Sequence, residues 1–281
     1  MPLALILSSF VAASRIGGAA QQYVLAAHKI DPVLAPTAMF GRTPAKGAQG
    51  EATAPDVFRR MLADIEADAI FGLLDLMITG HFSSAEQVEI AAGVIERVRK
   101  AERTEAWGAR PLILVDPILG DAPKGLYVKP EVAEAVARRL VTQADWITPN
   151  VWELGYLTGR AIETAEDARD AARALGRPAL ITSAPTGDGE IGLLYVDKEE
   201  AVLFSHTRRP SAPNGTGDLV TASFGAGLIE GLDPRDAAER AARAAAEAVN
   251  AAEAWKAPEL PIVALADRIV RPSALVVTQT L

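Results

Sequence analysis

Cysteine is absent from this sequence, which removes disulfides, thiolate nucleophiles and cysteine-ligated zinc in one step. A chain without thiols suits a reducing compartment, so a cytoplasmic location is expected. Histidine is scarce, and His28, His81 and His206 lie far apart with no paired metal-ligand spacing. No apolar stretch reaches membrane-spanning length, so no membrane partner is expected. Positive charge is also short, with 28 Lys and Arg against 36 Asp and Glu. The pair Arg208-Arg209 is too small to make the basic stripe that neutralises nucleic-acid phosphates, so nucleic acid is excluded as a main partner. Leu3 to Val11 is apolar and is followed by small residues. A secretory signal would carry Lys or Arg ahead of that run, and the first such residue is Arg15, so a buried first strand over Leu3–Leu7 is the expectation.

What is present is a chain of 281 residues, 49% hydrophobic, long enough to bury a large core. Short apolar runs alternate with longer helical segments from end to end. That alternation predicts an α/β fold, a single domain over 1–281 with a mainly parallel central sheet and helices on both faces. Strands are expected at Leu3–Leu7, Asp75–Thr79, Leu112–Asp116, Trp146–Thr148, Ala179–Thr182, Ile191–Val196 and Val202–Ser205. Helices are expected at Ala85–Arg103, capped by Ser84 or Ser83, at Glu131–Leu140, at Ala165–Leu175 before Gly176, and at Asp236–Trp255. The alanine content of the last suggests close packing on a neighbouring element. Ala35–Ala54 contains Gly41, Pro44, Gly47 and Gly50, which break any regular period; it reads as a loop able to cover a substrate.

The densest local signal is PNGTGD, Pro213 to Asp218, at the mouth of a helical stretch. Unpaired N–H groups and the positive end of the helix dipole make such a turn fit for phosphate oxygens. Gly215 and Gly217 allow the backbone close to a ligand, Thr216 offers a hydroxyl or closes the turn, and Asp218 is placed to accept a proton from a substrate hydroxyl. The same residues also serve as ordinary turn and N-cap chemistry, so their company matters. Asp116 and Glu153 form an acidic pair suited to Mg²⁺, directly or through its waters, although Asn150 and Glu153 also have the spacing of a capping box. Ligands of open parallel sheets sit beyond the carboxyl ends of the strands. Ser8-Ser9, Gly80-His81, Asp116, Thr148 to Glu153 and Thr182-Ser183 all follow expected strands or open helices there, as candidates for one crevice.

Taken in order, SSFVAASRIGGAA (Ser8 to Ala20), ITGHFSSAEQV (Ile78 to Val88), DPILGD with KGLYVKPE (Asp116 to Glu131), ADWITPNVWELGYLTG (Ala144 to Gly159), ALITS, NGTGDL and PELPIV (Pro258 to Val263) resemble the pyridoxal kinases of the ribokinase-like superfamily. The resemblance implies a three-layer sandwich and an ATP-dependent kinase that phosphorylates the 5′-hydroxymethyl group of a B6 vitamer such as pyridoxal. It further implies a homodimer working with Mg²⁺ and often a monovalent cation such as K⁺. By position, Asp218 resembles the catalytic base and Gly215 to Gly217 the anion hole. Asp116, Thr148, Asn150, Glu153, Thr182 and Ser183 fall on the nucleotide and metal side, and Ser9 matches a contact to the pyridine ring.

Departures concentrate on the substrate side. A loop that commonly reads His-Thr-Gln-Tyr-Gly is here Thr43-Pro44-Ala45-Lys46-Gly47, and a Gly-Tyr pair is Gly80-His81. Thr43 and His81 therefore stand as altered substrate contacts. A site built to bond a substrate's polar atoms discriminates strongly when those bonds change. The alternatives are a kinase of another hydroxymethyl heterocycle, such as hydroxymethylpyrimidine, and a catalytically silent paralogue that binds a vitamer or nucleotide.

Overall fold

The computed structural model describes residues 1–44, 47–104 and 108–281. In chain order its main elements are β1 (Leu3–Val11), α1 (Gly17–Ala27), β2 (Asp31–Phe40), β3 (Glu51–Ala52), α2 (Pro55–Ala67), β4 (Leu76–Thr79), α3 (Ala85–Lys100) and β5 (Leu112–Val115). A short hairpin, β6 (Gly120–Asp121) and β7 (Gly125–Leu126), precedes α4 (Pro130–Ala135), β8 (Trp146–Ile147), α5 (Val151–Thr158) and α6 (Ala165–Leu175). Then come β9 (Ala179–Ala184), β10 (Glu190–Val196), β11 (Ala201–Thr207), α7 (Thr216–Ile229), α8 (Pro234–Trp255), α9 (Ala266–Val270) and β12 (Val277–Thr280).

Ten strands form one sheet in the order β12-β11-β10-β9-β8-β5-β4-β1-β2-β3. From β9 to β2 every pairing is parallel, and the antiparallel strands lie at the two ends. Side chains alternate between faces along each strand, so β1 sends Leu5 and Leu7 into one core and Ala4 and Ile6 into the other. The first core is closed by α2 to α6, the second by α1, α7, α8 and α9. The expected α/β architecture with helices on both faces is thus the one observed.

Local sequence explains most boundaries. Ser84 caps α3 by accepting the Gln87 N–H at 3.2 Å, and Thr164 caps α6 in a reciprocal box with Asp167. Gly176 ends α6 in the left-handed conformation at φ 69°, a region open to glycine. The alanines of α8 let it lie close to α7, where even a methyl group at Gly227 would crowd Ala237. The expected helix over Glu131–Leu140 is split: α4 ends at Ala135 and a wider π turn continues to Leu140.

One expectation is corrected. The segment assigned as a loop over 35–54 begins as strand, because Ala35 to Phe40 belong to β2 and Glu51-Ala52 form β3. Pro32 and Pro36 obscure β2 in the sequence. They are tolerated because β2 pairs with β1 along one side, whereas β3 covers only Ala38 and Met39 on the other. What is left of the loop is 41–50, of which Ala45 and Lys46 lie outside the described residues.

Candidate functional site

The carboxyl ends of the parallel strands open into a cleft of about 580 Å³. Asn150, Thr182, Ser183, Gly215, Thr216 and Gly217 all line it, so half of the nucleotide-side candidates share one cavity with the glycine turn, while the acids Asp116, Glu153 and Asp218 are not part of its wall. Its remaining wall includes Ile191, Leu193, Val220 and Val249 as an apolar side, and Arg208 and Arg209 as a cationic rim beside His206, whose imidazole burial holds below its ordinary value. Ser183 is held at φ 54° at the end of β9, an uncommon conformation for serine, which turns the chain where it borders the cleft.

The two glycines of the turn have different duties. Gly215 stands at φ 105°, and a side chain there would run into the carbonyl of Arg15 in the β1–α1 turn. Gly217 opens on free space, so its missing side chain leaves the first turn of α7 bare toward the cleft. The orphan N–H groups of that turn are therefore accessible to an anion.

Asp218 lies one residue deeper. Gly17 N–H donates to its Oδ2 at 2.8 Å, while its Oδ1 is buried without a hydrogen-bond partner. Burial pushes this carboxyl up from 3.8 to about 6, and the Gly17 bond opposes that shift. A buried acceptor with no donor is costly unless something binds to it, so Oδ1 is the strained atom of the site.

Asp116, at the end of β5, is 7% exposed. Burial is the main cause that raises it well above the ordinary carboxyl range, followed by the charges of Glu153 and then Asp218. Asp116 thus feels both other acids, whereas burial alone dominates at Asp218. Thr221 donates to Asp116 Oδ2 at 3.2 Å and shares a 2.8 Å bond with Thr148, so Thr148 acts through Thr221 and is absent from the cleft wall.

Glu153 is raised to about 7 by burial, against three backbone bonds that favour its ion. Leu119 N–H donates to Oε1 at 2.7 Å and Gly120 N–H at 3.4 Å, while Asn150 N–H donates to Oε2 at 2.8 Å. Asn150 completes the box by accepting Glu153 N–H at 2.9 Å, so the capping role is the one seen in the hydrogen bonds. Among the described residues no group of three or more His, Asp or Glu side chains could hold a metal ion by itself. The donor set nevertheless fits Mg²⁺, which keeps several waters and is bound through one or two carboxylates together with substrate phosphates.

The substrate-side candidates are less gathered. Ser9 borders Gly17, where an added Cβ would sit 2.7 Å from the Ser9 hydroxyl, so it lies next to the Asp218 anchor. His81 packs edge-on to Phe40 at 6.5 Å, and burial lowers its imidazole to about 4, leaving it neutral near pH 7. Thr43 is buried in the loop after β2. None of Ser9, Thr43 and His81 lines the cleft. Gly17 and Thr221 were missed in the sequence: the first acts through its peptide N–H, and the second reads as an ordinary helix-interior residue.

The family model described as phosphomethylpyrimidine kinase matches residues 24–262. A pyridoxine/pyridoxal/pyridoxamine kinase of Bordetella avium is 35% identical over 239 residues, 82% of this chain and 79% of the relative. A pyridoxal kinase of Leifsonia xyli is 31% identical over 233 residues, 80% of each. The fold also matches the Leishmania donovani pyridoxal kinase in complex with ADP and pyridoxamine, with a TM-score of 0.90 at 21% identity over all of both chains. The chain accordingly belongs to the pyridoxal kinases of the ribokinase-like superfamily.

Proposed function

We propose that this chain transfers the γ-phosphoryl group of ATP to the 5′-hydroxymethyl group of pyridoxal or a related B6 vitamer. The observation that carries the reading is the buried, unpartnered Oδ1 of Asp218, one residue beyond a glycine turn that walls a nucleotide-sized cleft. ATP lies in that cleft with its phosphates toward Gly215 to Gly217. Asp218 takes the hydroxyl proton as the substrate oxygen attacks the γ-phosphorus and ADP departs, and the amides at the start of α7 hold the oxygens of the group in transit. Asp116 and Glu153 would hold Mg²⁺, which supplies neutralising charge to the phosphates. Ser9, Thr43 and His81 face the vitamer. By the same resemblance the enzyme works as a cytoplasmic homodimer, with K⁺ as a further activator.

The test is a direct product assay with MgATP and pyridoxal, pyridoxine, pyridoxamine and hydroxymethylpyrimidine side by side. Formation of pyridoxal phosphate is expected; phosphorylation of none of the B6 vitamers would end the proposal. The match of residues 24–262 to the phosphomethylpyrimidine kinase model favours hydroxymethylpyrimidine as the second reading, and turnover of that compound alone would establish it.

A further inference from the structure

The orientation of Asp218 depends on one donor, the N–H of Gly17, and that donor is the first residue of α1, where the irregular β1–α1 turn ends. The β1–α1 turn is tied on three sides. Ala12 N–H and Ala13 N–H donate to the carbonyls of Phe40 and Gly41, at 2.9 and 3.0 Å, where β2 runs out into the 41–50 loop. The carbonyl of Arg15 lies against Gly215 so closely that no side chain fits between them. On the third side, Glu259 reaches in from 244 residues away: Arg15 N–H donates to its Oε2 and the buried Ser14 hydroxyl to its Oε1, both at 3.3 Å.

We propose that Glu259 is a positioning residue, whose two-pronged grip on Ser14 and Arg15 fixes the β1–α1 turn so that Gly17 N–H holds the Asp218 carboxyl in its orientation behind the glycine turn. The two prongs matter because a single bond leaves the peptide free to rotate about it, whereas two bonds to adjacent residues fix both position and tilt. Gly17 follows Arg15 by two residues, so a turn that tilts at Arg15 carries Gly17 off Asp218. Glu259 does not touch the reacting atoms. The inference rests on the reading of Asp218 as the base, and it assigns the Pro258–Val263 segment a part in holding the site.

The experiment compares Glu259→Ala, Glu259→Gln and Glu259→Asp in the full-length protein. Glu259→Ala is expected to lower kcat about 10- to 100-fold, the order attached to misplacement of a catalytic group. The KM for ATP should change less than kcat, because Glu259 itself is not part of the cleft wall. Glu259→Gln retains an acceptor for Arg15 N–H and an amide able to donate to the Ser14 hydroxyl, so it should restore most of the rate. Glu259→Asp keeps the charge but withdraws the carboxylate by one methylene, so it should resemble alanine and carries the test if Glu259→Ala does not fold. Residue-resolved amide exchange gives a readout without substrate: Gly17 N–H should exchange faster in the alanine and aspartate variants than in the parent and Gln forms. Parental kcat with unchanged Gly17 exchange in those two variants would overturn the proposal, as would a Gln form as impaired as alanine. If the parent phosphorylates no vitamer, the functional reading fails, and the exchange rates still decide whether Glu259 sets the turn.

Discussion

Replacing Asp218 with Asn separates catalysis from stability, because the two should move in opposite directions. The Asn side chain can still accept the Gly17 N–H bond, so the turn keeps its geometry, but it cannot take a proton from the substrate hydroxyl. General-base assistance is worth ~10²- to 10⁴-fold, and kcat should fall by that order. Stability should rise. The carboxyl is raised from 3.8 to about 6 in the folded state, so the native chain holds this proton more tightly than the unfolded chain does. Below pH 4 both states are protonated and the group is neutral toward folding; as pH climbs toward and past 6 the native state must ionise a buried acid, and stability is lost.

A shift of that size, at about 1.4 kcal/mol per unit, corresponds to roughly 3 kcal/mol above pH 6. Removing the charge recovers part of it, and for a chain of this size that is a rise in Tm of up to ~5 °C. Thermal unfolding at pH 4 and pH 8, beside steady-state kinetics at pH 8, measures both effects. The Tm gap between Asp218→Asn and parent should be small at pH 4 and open by pH 8. A folded Asn variant with more than about a tenth of parental kcat would refute the base assignment, and one less stable than the parent at pH 8 would refute the electrostatic argument. In the parent, kcat/KM should decline on acidification with a midpoint near 6, as the base of the free enzyme is lost.

Gly215→Ala and Gly217→Ala should differ sharply: the first forces a side chain into the Arg15 carbonyl at φ 105° and should lower Tm and activity together, whereas the second meets open space and should raise the KM for ATP with little change in Tm. Thr221→Val removes the hydroxyl that joins Thr148 to Asp116, and should cost about 1–3 kcal/mol in chemical denaturation by leaving buried acceptors unmatched. Because His81 is held neutral by burial, His81→Phe should leave the pH dependence of the vitamer KM between 6 and 8 unchanged, which steady-state kinetics over that range will check.

Most of the sheet was legible because a buried parallel strand is a short apolar run with few competing meanings, as in Leu112–Val115 and Ala179–Ala184. β2 was not, since Pro32 and Pro36 read as breakers, and only its one-sided pairing shows why they are harmless. The cleft was legible where side chains or glycines carry the signal, at Asn150, Thr182 and the Gly215–Gly217 turn. It was illegible where the backbone acts. Gly17 supplies a peptide N–H, and Leu119 and Gly120 do the same for Glu153; every residue except proline has that group, so no residue type announces it. Glu259 was hidden for a different reason, its partners being 244 and 245 residues away.

The acids of the site share a further property that ties these features together. Asp116, Glu153 and Asp218 are all raised chiefly by burial, and the bonds that oppose the shift come from neutral donors: Thr221, backbone N–H groups and Gly17. Neutral donors orient a carboxyl without cancelling its charge. An Arg or Lys paired to each would have stabilised the free chain, but it would also have occupied the place of the ligand's own charge and drawn the base below the pH at which it can accept a proton. Leaving the acids without such partners makes the charged form of the site depend on what enters the cleft. Any positive charge brought near one of these carboxylates would favour its ionised form, so binding that supplies such charge should be gained at the expense of stability in the empty chain.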